Sequence, residues 1–313
     1  MSYQHSNFTG YYSSLEIIEE QGKKFVQKKI TLPLSLSIVQ DLEQRIRLQR
    51  SALESMGVPI PELIKIEIIQ DEEGTHNLLI KEHFEGLDFV DVVDDSNFEF
   101  YIDKLLTDIY KPLLTSTTEE YLKAGIDTSV RNFVYKSHEN QFCYVDFIPP
   151  KVFYKGHYSQ ELPEIEGPFY DIRMLGHNDR AGVVYVQYVN FIRLFPEKRK
   201  FIQGKIEQFL DSINESDLKK YMVESPFYRI EDPQNAAEHV NQIEDWRGMN
   251  YYYLREGICI ASELNTEFRK RQSDLFAMTT HERDHNSDEY GLLPQSTFEK
   301  VKNLILDAFE HNS

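Results

Sequence analysis

The spacing of apolar residues changes part-way along this chain, and that change does most to limit its fold. Up to about residue 150, short alternating runs broken by turn residues predominate. Beyond about residue 165, apolar positions recur every three to four residues. The first pattern is that of half-buried strands and the second that of amphipathic helices. SLEII (14–18) and KKFVQKKI (23–30), parted at Gly22, predict a hairpin. LPLSLSIVQDLEQRIRLQRSALESMG (32–57) predicts a helix: Ile38, Leu42 and Ile46 recur at four-residue spacing and Gly57 is a stop signal. IKIEIIQ (64–70) and HNLLIKEHF (76–84) predict a second hairpin about DEEGT. FEFYIDKLLTDIYKPLL (98–114) predicts a helix limited by Pro112, and NFVYKSHENQFCYVDFI (132–148) a third hairpin turning at SHEN. In FIQGKIEQFLDSI, Ile206, Phe209, Leu210 and Ile213 share one helical face, and residues 216–224, 232–246 and 296–311 follow suit. The expectation is an α+β chain, with a small antiparallel sheet and one helix followed by a larger, mainly helical part.

Composition narrows the function classes. Apolar residues make up 41% of the 313, with 20 Phe and 19 Tyr, enough for substantial cores and against wholesale disorder. The net charge of −18 repels phosphate backbones, so no nucleic-acid partner is expected. The same charge would attract a cationic substrate, or simply keep the chain soluble. Cys143 and Cys259 are the only cysteines, too few for a disulfide framework or a thiolate zinc site. No run of about 18 apolar residues exists and MSYQHSNFTG lacks the apolar core of a signal peptide. The expectation is a soluble, cytoplasmic protein with no membrane partner.

GIDTSVRNFVYKSHENQFCYVDFIPP (125–150) carries the chemistry. Asp127 and Asn132 lie five positions apart, and the hairpin after them delivers Asp146 behind apolar Tyr144 and Val145. Phosphoryl transfer needs one carboxylate to orient or deprotonate the attacking hydroxyl. It also needs an amide oxygen and a second carboxylate to hold magnesium against the phosphates. DTSVRN (127–132) and VDF (145–147) resemble, in order and spacing, the catalytic loop and metal-binding strand of the protein-kinase-like superfamily. Among its members, the aminoglycoside and choline phosphotransferases are the nearest in pattern.

The resemblance covers about residues 9–180. It implies a bilobal kinase-like fold, with a nucleotide-binding lobe at 1–84, a catalytic and acceptor-binding helical lobe at 85–313, and ATP with Mg2+ between them. It casts Asp127 as the catalytic base, with Arg131 helping to neutralise the transferring group, and Asn132 and Asp146 as metal ligands. FVQKKI (25–30) resembles the strand bearing the phosphate-aligning lysine, which is Lys28 or, failing that, Lys29. On the next helix Glu43 is the first choice of lysine partner and Glu54 the second. GVPIPEL and LLIKEHFEGLDF resemble segments of aminoglycoside phosphotransferases, so backbone groups of Glu82, His83 and Phe84 are expected to meet the adenine. Ser13 and Ser14 stand where a phosphate loop belongs.

Three departures qualify the match. Gly125 replaces a histidine, only Gly10 serves the phosphate loop, and Ile148 replaces the glycine after Asp-Phe. The last is common in small-molecule kinases. The expected activity is therefore transfer of the γ-phosphoryl group to a hydroxyl of an antibiotic, amino alcohol or sugar. A non-catalytic kinase-like scaffold or nucleotide sensor is the alternative. A protein kinase is a further one, echoed by LPE (162–164) and DIRMLG (171–176). HERDH (281–285) matches a zinc-protease string, but charged Arg283 and Asp284 between its histidines make it a polar stretch.

Overall fold

The structure is a computed structural model. It describes residues 8–9, 13–30, 34–70, 74–159, 168–232, 235–285 and 295–310. Contacts divide the chain into two compact units. The first comprises residues 1–118, 123–127 and 131–163; the second comprises 119–122, 128–130 and 164–313. Residues 85–118 thus pack with the sheet-bearing unit.

In the first unit, strands β1 (Phe8–Thr9), β2 (Ser13–Glu20), β3 (Lys23–Ile30), β4 (Leu63–Gln70) and β5 (His76–His83) form an antiparallel sheet in the order β1-β2-β3-β5-β4. Helix α1 (Leu36–Met56) packs against β4 and β5. Ser35 caps its start through Ile38 N–H, and Gly57 ends it with φ 83°, a left-handed conformation that glycine adopts without strain. Both hairpins and the helix lie where apolar spacing predicts them.

After β5 the chain passes through Gly86 into β6 (Leu87–Asp88) and α2 (Phe89–Val92). Gly86 has φ 152°, and a Cβ there would sit 2.2 Å from the Tyr135 carbonyl oxygen, so only glycine lets the chain cross β7 this closely. The predicted helix at 98–114 is interrupted: α3 (Phe98–Leu105) and α4 (Lys111–Thr115) are joined by one π-helical turn, Leu106–Tyr110. Pro112 lacks the N–H that regular helix would use there. Strands β7 (Phe133–Lys136) and β8 (Gln141–Tyr144) form the third hairpin, and β6 pairs with β7. A last hairpin, β9 (Val152–Tyr154) and β10 (His157–Ser159), closes this unit's described part.

The second unit is helical: α5 (Pro168–His177), α6 (Arg180–Leu194), α7 (Arg199–Ser212), α8 (Ser216–Met222), α9 (Ala236–Gln242), α10 (Asn250–Leu264), α11 (Thr266–His285) and α12 (Gln295–Glu310). Helix α6 is buried almost all round and is this unit's centre. Glu256 of α10 is fully buried against it, accepting hydrogen bonds from Tyr185, from Tyr188 at 2.9 Å and from Ser225 at 2.6 Å. Burial raises the pKa of that carboxyl. No helix among the described residues is long and apolar enough to cross a membrane.

Asp179 caps α6 by accepting from Gly182 N–H. Beside it, Asn178 anchors the strand-like segment at Leu122 through Leu122 N–H to Asn178 O at 2.7 Å and Asn178 Nδ2 to Leu122 O at 3.2 Å. Burial, opposed by the Gly182 N–H and reinforced by the charge of Glu120, pushes the Asp179 carboxyl up to about 6. The native state therefore holds this proton where the unfolded chain has already lost it. The resulting stability is present below the ordinary carboxylate range and is lost as pH rises through about 6. A shift of about two units corresponds to roughly 3 kcal/mol at most. Asp179→Asn keeps a good cap and removes the titration. In urea unfolding the variant is expected to gain on the parent by on the order of 1–3 kcal/mol between pH 4 and pH 7. A difference that stays constant with pH would refute the assignment.

Candidate active site

Strand alternation turns Lys28 inward and leaves Lys29 exposed, which selects between the two lysines. Lys28 Nζ donates to Glu82 Oε2 at 2.7 Å and to the Val145 carbonyl at 2.6 Å. Glu82, on β5 and 1% exposed, also accepts from Arg50 of α1. Arg50 donates as well to Pro61 O, and its guanidinium carbon lies 4.5 Å from the centre of the Phe147 ring. One carboxylate thus serves two buried cations supplied by two elements.

This arrangement corrects the expected lysine partner. Glu43 pairs with Arg47, one turn on, at 2.8 Å and is not bonded to Lys28. The buried stripe of α1 consists of Val39, Leu42, Arg45, Ile46, Gln49, Arg50 and Leu53. Its polar members are cationic or amide, and Glu43 sits at its rim. Glu54, the second choice, is exposed. The acid comes from the sheet and the helix supplies a base, the reverse of the expected polarity. Val26 is opposite Glu82 in the β3–β5 register and Lys28 is opposite Ile80, so Lys28 and Glu82 are diagonal neighbours.

The residues around Asp127 are held by the hairpin. Asp127 N–H donates to the Tyr144 hydroxyl at 2.9 Å, and Tyr144 is fully buried at the end of β8. Burial, then Asp146 and Asp127, raise the pKa of that phenol well above its ordinary value, so it stays neutral. Asn132 Nδ2 points to the Asp127 carbonyl at 3.4 Å, and Val145 N–H donates to Asn132 O at 3.0 Å. Lys28, Asp127, Asn132 and Asp146 are therefore joined by way of Val145.

Gln49 is a positioning residue that sequence reasoning missed. Its amide donates to Gly125 O at 2.9 Å and accepts from Lys151 N–H at 3.1 Å, while Gly125 N–H donates to Lys151 O at 2.8 Å. A side chain from α1 thus orients the loop at the position where the resemblance expects histidine. The signal was present in the sequence as a polar residue on an apolar stripe, but several such residues compete on α1.

Other expected residues fall elsewhere. Arg131 pairs with Asp88 at 2.8 Å and is exposed. Ser13 and Ser14 lie within β2, paired with Ile30 and Lys29, rather than in a loop. Residues 10–12 lie outside the described residues. His83 N–H donates to Glu62 O at 3.0 Å and Phe84 N–H to Lys24 O at 3.1 Å, so the sheet already uses both donors expected to meet adenine. The LPE segment lies outside the described residues, and Asp171 of DIRMLG is exposed at the start of α5. HERDH falls at the end of α11.

Magnesium would need oxygen donors here. With Nδ2 of Asn132 turned to Asp127, its Oδ1 faces away as an acceptor. Asp146 Oδ1 accepts only a long bond, 3.3 Å, from Ile148 N–H. Both are oxygen donors of the kind a magnesium ion takes. Asp146 Oδ2 is engaged by Lys151, 1% exposed, whose Nζ is 3.0 Å away and also bonds Pro149 O at 2.9 Å. Cavities of about 470 and 400 Å³ open in this unit, but neither is lined by Lys28, Asp127 or Asp146.

No protein-family model matches this chain, and no curated protein matches it. Similar solved structures include that of vaccinia related kinase 3, at 15% identity and a TM-score of 0.30. That match covers 47% of each chain, so this chain spans about half the length of that relative. A MAP kinase from Leishmania major, LmaMPK10, is similar over 98% of this chain and 94% of its own at 12% identity and a TM-score of 0.37.

The two candidate lysine partners make opposite predictions. Glu82→Gln leaves two buried cations without their carboxylate and is expected to lower unfolding free energy by about 3–5 kcal/mol. Glu43→Gln breaks a rim pair and should cost under about 0.5 kcal/mol. Urea titration of both variants checks this, and equal losses would count against the triad.

Proposed function

We propose that this chain is an ATP-dependent phosphotransferase of kinase-like fold that phosphorylates a hydroxyl of a small molecule. What supports the reading most is one contact. The Lys28 ammonium lies 2.6 Å from the carbonyl of Val145, the residue before Asp146, whose N–H in turn bonds Asn132. The reading is supported because Lys28, Asn132 and Asp146 are linked through Val145 within one compact unit, in the order the resemblance expects. An antibiotic, amino alcohol or sugar suits as acceptor, and the net charge of −18 favours a cationic one.

In this reading Lys28 steadies the nucleotide phosphates, and Glu82 and Arg50 hold Lys28. Asp127, fixed by Tyr144, receives the acceptor's proton or orients its hydroxyl. Asn132 Oδ1 and Asp146 Oδ1 would hold Mg2+, which when bound neutralises phosphate charge. Lys151 keeps Asp146 half-neutralised throughout. Arg131 reaches a phosphoryl group only after leaving Asp88.

One observation favours a second reading, a non-catalytic scaffold. Lys28 and Asp146 each already have an internal partner of opposite charge, and the His83 and Phe84 donors are in use. Two variants separate the readings. Asp127→Ala is expected to lower turnover by about 10²–10⁴ while nucleotide binding survives. Asp146→Ala should abolish the magnesium-dependent part of the thermal stabilisation that ATP confers. A parent protein that shows no shift at millimolar ATP with magnesium would favour the scaffold.

A further inference from the structure

Among the described residues of the first unit, Lys151 is the most deeply buried cation, at 1% exposed. Its ammonium has two acceptors, Asp146 Oδ2 at 3.0 Å and Pro149 O at 2.9 Å. Asp146 is its one acidic partner among the described residues. The main chain that carries Lys151 is fixed as well. Gly125 N–H donates to Lys151 O at 2.8 Å, Ala124 bridges Val152, and Phe153 N–H donates to Lys123 O at 2.8 Å. Gln49, itself fully buried, takes the Lys151 N–H at 3.1 Å. The ammonium is therefore a built-in charge, unlike a surface lysine that rests on a nearby acid and swings free at little cost.

In protein kinases one aspartate and one asparagine hold two Mg2+ ions between them. A carboxylate can serve two cations by offering one oxygen to each. In this chain Asp146 Oδ2 is given to an ammonium, and Oδ1 has only the 3.3 Å bond from Ile148 N–H. A divalent ion at Oδ2 would lie against the positive charge of Lys151, a repulsion that water screens poorly beside so buried a group. Moving the lysine aside would leave a buried cation without its acid, which costs more than leaving the pair intact. Asn132, with Nδ2 turned to Asp127 O at 3.4 Å, adds one oxygen to the open side of the set.

We propose that Lys151 takes the place of a second metal ion, so that this site accepts one divalent cation per nucleotide. The inference rests on the phosphotransferase reading and adds to it a stoichiometry and a positioning residue. Lys151 acts through Asp146. It fixes the carboxylate and supplies a positive charge that does not vary with the free metal concentration. The metal dependence of nucleotide binding then has the slope of a single ion.

The test is equilibrium dialysis of the full chain against Mn2+ and imido-ATP, an analogue with nitrogen in place of the oxygen that bridges its last two phosphorus atoms. Excess metal and excess nucleotide on the protein side give the ratio of ions to bound nucleotide. The parent is expected to hold one Mn2+ per nucleotide up to millimolar free metal. Lys151→Met, which keeps much of the bulk and removes the charge, is expected to hold two and to bind the first several-fold more tightly. A lysine with a merely structural role predicts a less stable variant whose ratio stays at one, and that result would overturn the proposal. Two ions per nucleotide in the parent would overturn it too. That count needs no variant, so it decides the matter even if Lys151→Met does not fold. A two-ion parent leaves the phosphotransferase reading standing. A parent that retains no nucleotide, or retains it without metal, sinks that reading and this proposal with it.

Discussion

Glu82 is the carboxylate on which the first unit's interior turns. It is almost completely buried, and it answers Lys28 from β3 and Arg50 from α1. A buried ion cluster costs more to desolvate than exposed pairs do, and it persists only where geometry and further hydrogen bonds are complete. Here they are. Lys28 has a second acceptor in Val145 O, and Arg50 has one in Pro61 O and a ring face in Phe147. The cluster therefore fixes the distance from sheet to helix and ties both to the strand end that bears Asp146. Hydrophobic burial by Leu42, Ile46 and Leu53 holds α1 to the sheet, but apolar contact is non-directional. The charges set the helix's rotation.

That rotation has a consequence at the adjacent residue. With Arg50 committed to Glu82, the neighbouring Gln49 faces Gly125 and Lys151 and bonds the backbone of both. The loop before Asp127 is thus positioned by α1. A shift of that helix would be felt at Asp127 through the amide and at Asp146 through Lys151, whose backbone the same amide holds. The two carboxylates are mechanically coupled to one side of one helix.

Much of this architecture was legible in the sequence. Alternation and turn residues located the hairpins, and Gly57 located the end of α1, because local sterics decide those features. Asp127, Asn132 and Asp146 could be singled out because their order and spacing are local to one loop and one hairpin, and Lys28 from a separate strand, FVQKKI. The pairing of Lys28 was not legible. Glu43 and Glu82 are both acids within reach in principle, and only the β3–β5 register makes Glu82 the diagonal neighbour. Helical spacing put Glu43 beside Val39 and Ile46, but the buried stripe runs closer to Gln49 and Leu53 and leaves Glu43 to Arg47. Ser13 and Ser14 were misread for a similar reason: small polar residues suit a loop, yet pairing with β3 extends the strand through them.

Charge balance at Asp146 links the geometry to the chemistry. A lysine buried as deeply as Lys151 is stable as a cation only beside a carboxylate, and Asp146 is the one it has. The pair is neutral before any ligand arrives, so Asp146 attracts a free divalent ion less than an unpaired carboxylate would. What remains on offer is one lightly engaged oxygen and the Asn132 amide oxygen. Magnesium usually keeps several waters and takes few protein ligands beside substrate phosphates. In the phosphotransferase reading proposed above, nucleotide phosphates would add the oxygens that this pair of residues lacks. Lys28 shares the one carboxylate of Glu82 with Arg50, so in the proposed reading it would meet those phosphates from a cluster that keeps one net positive charge.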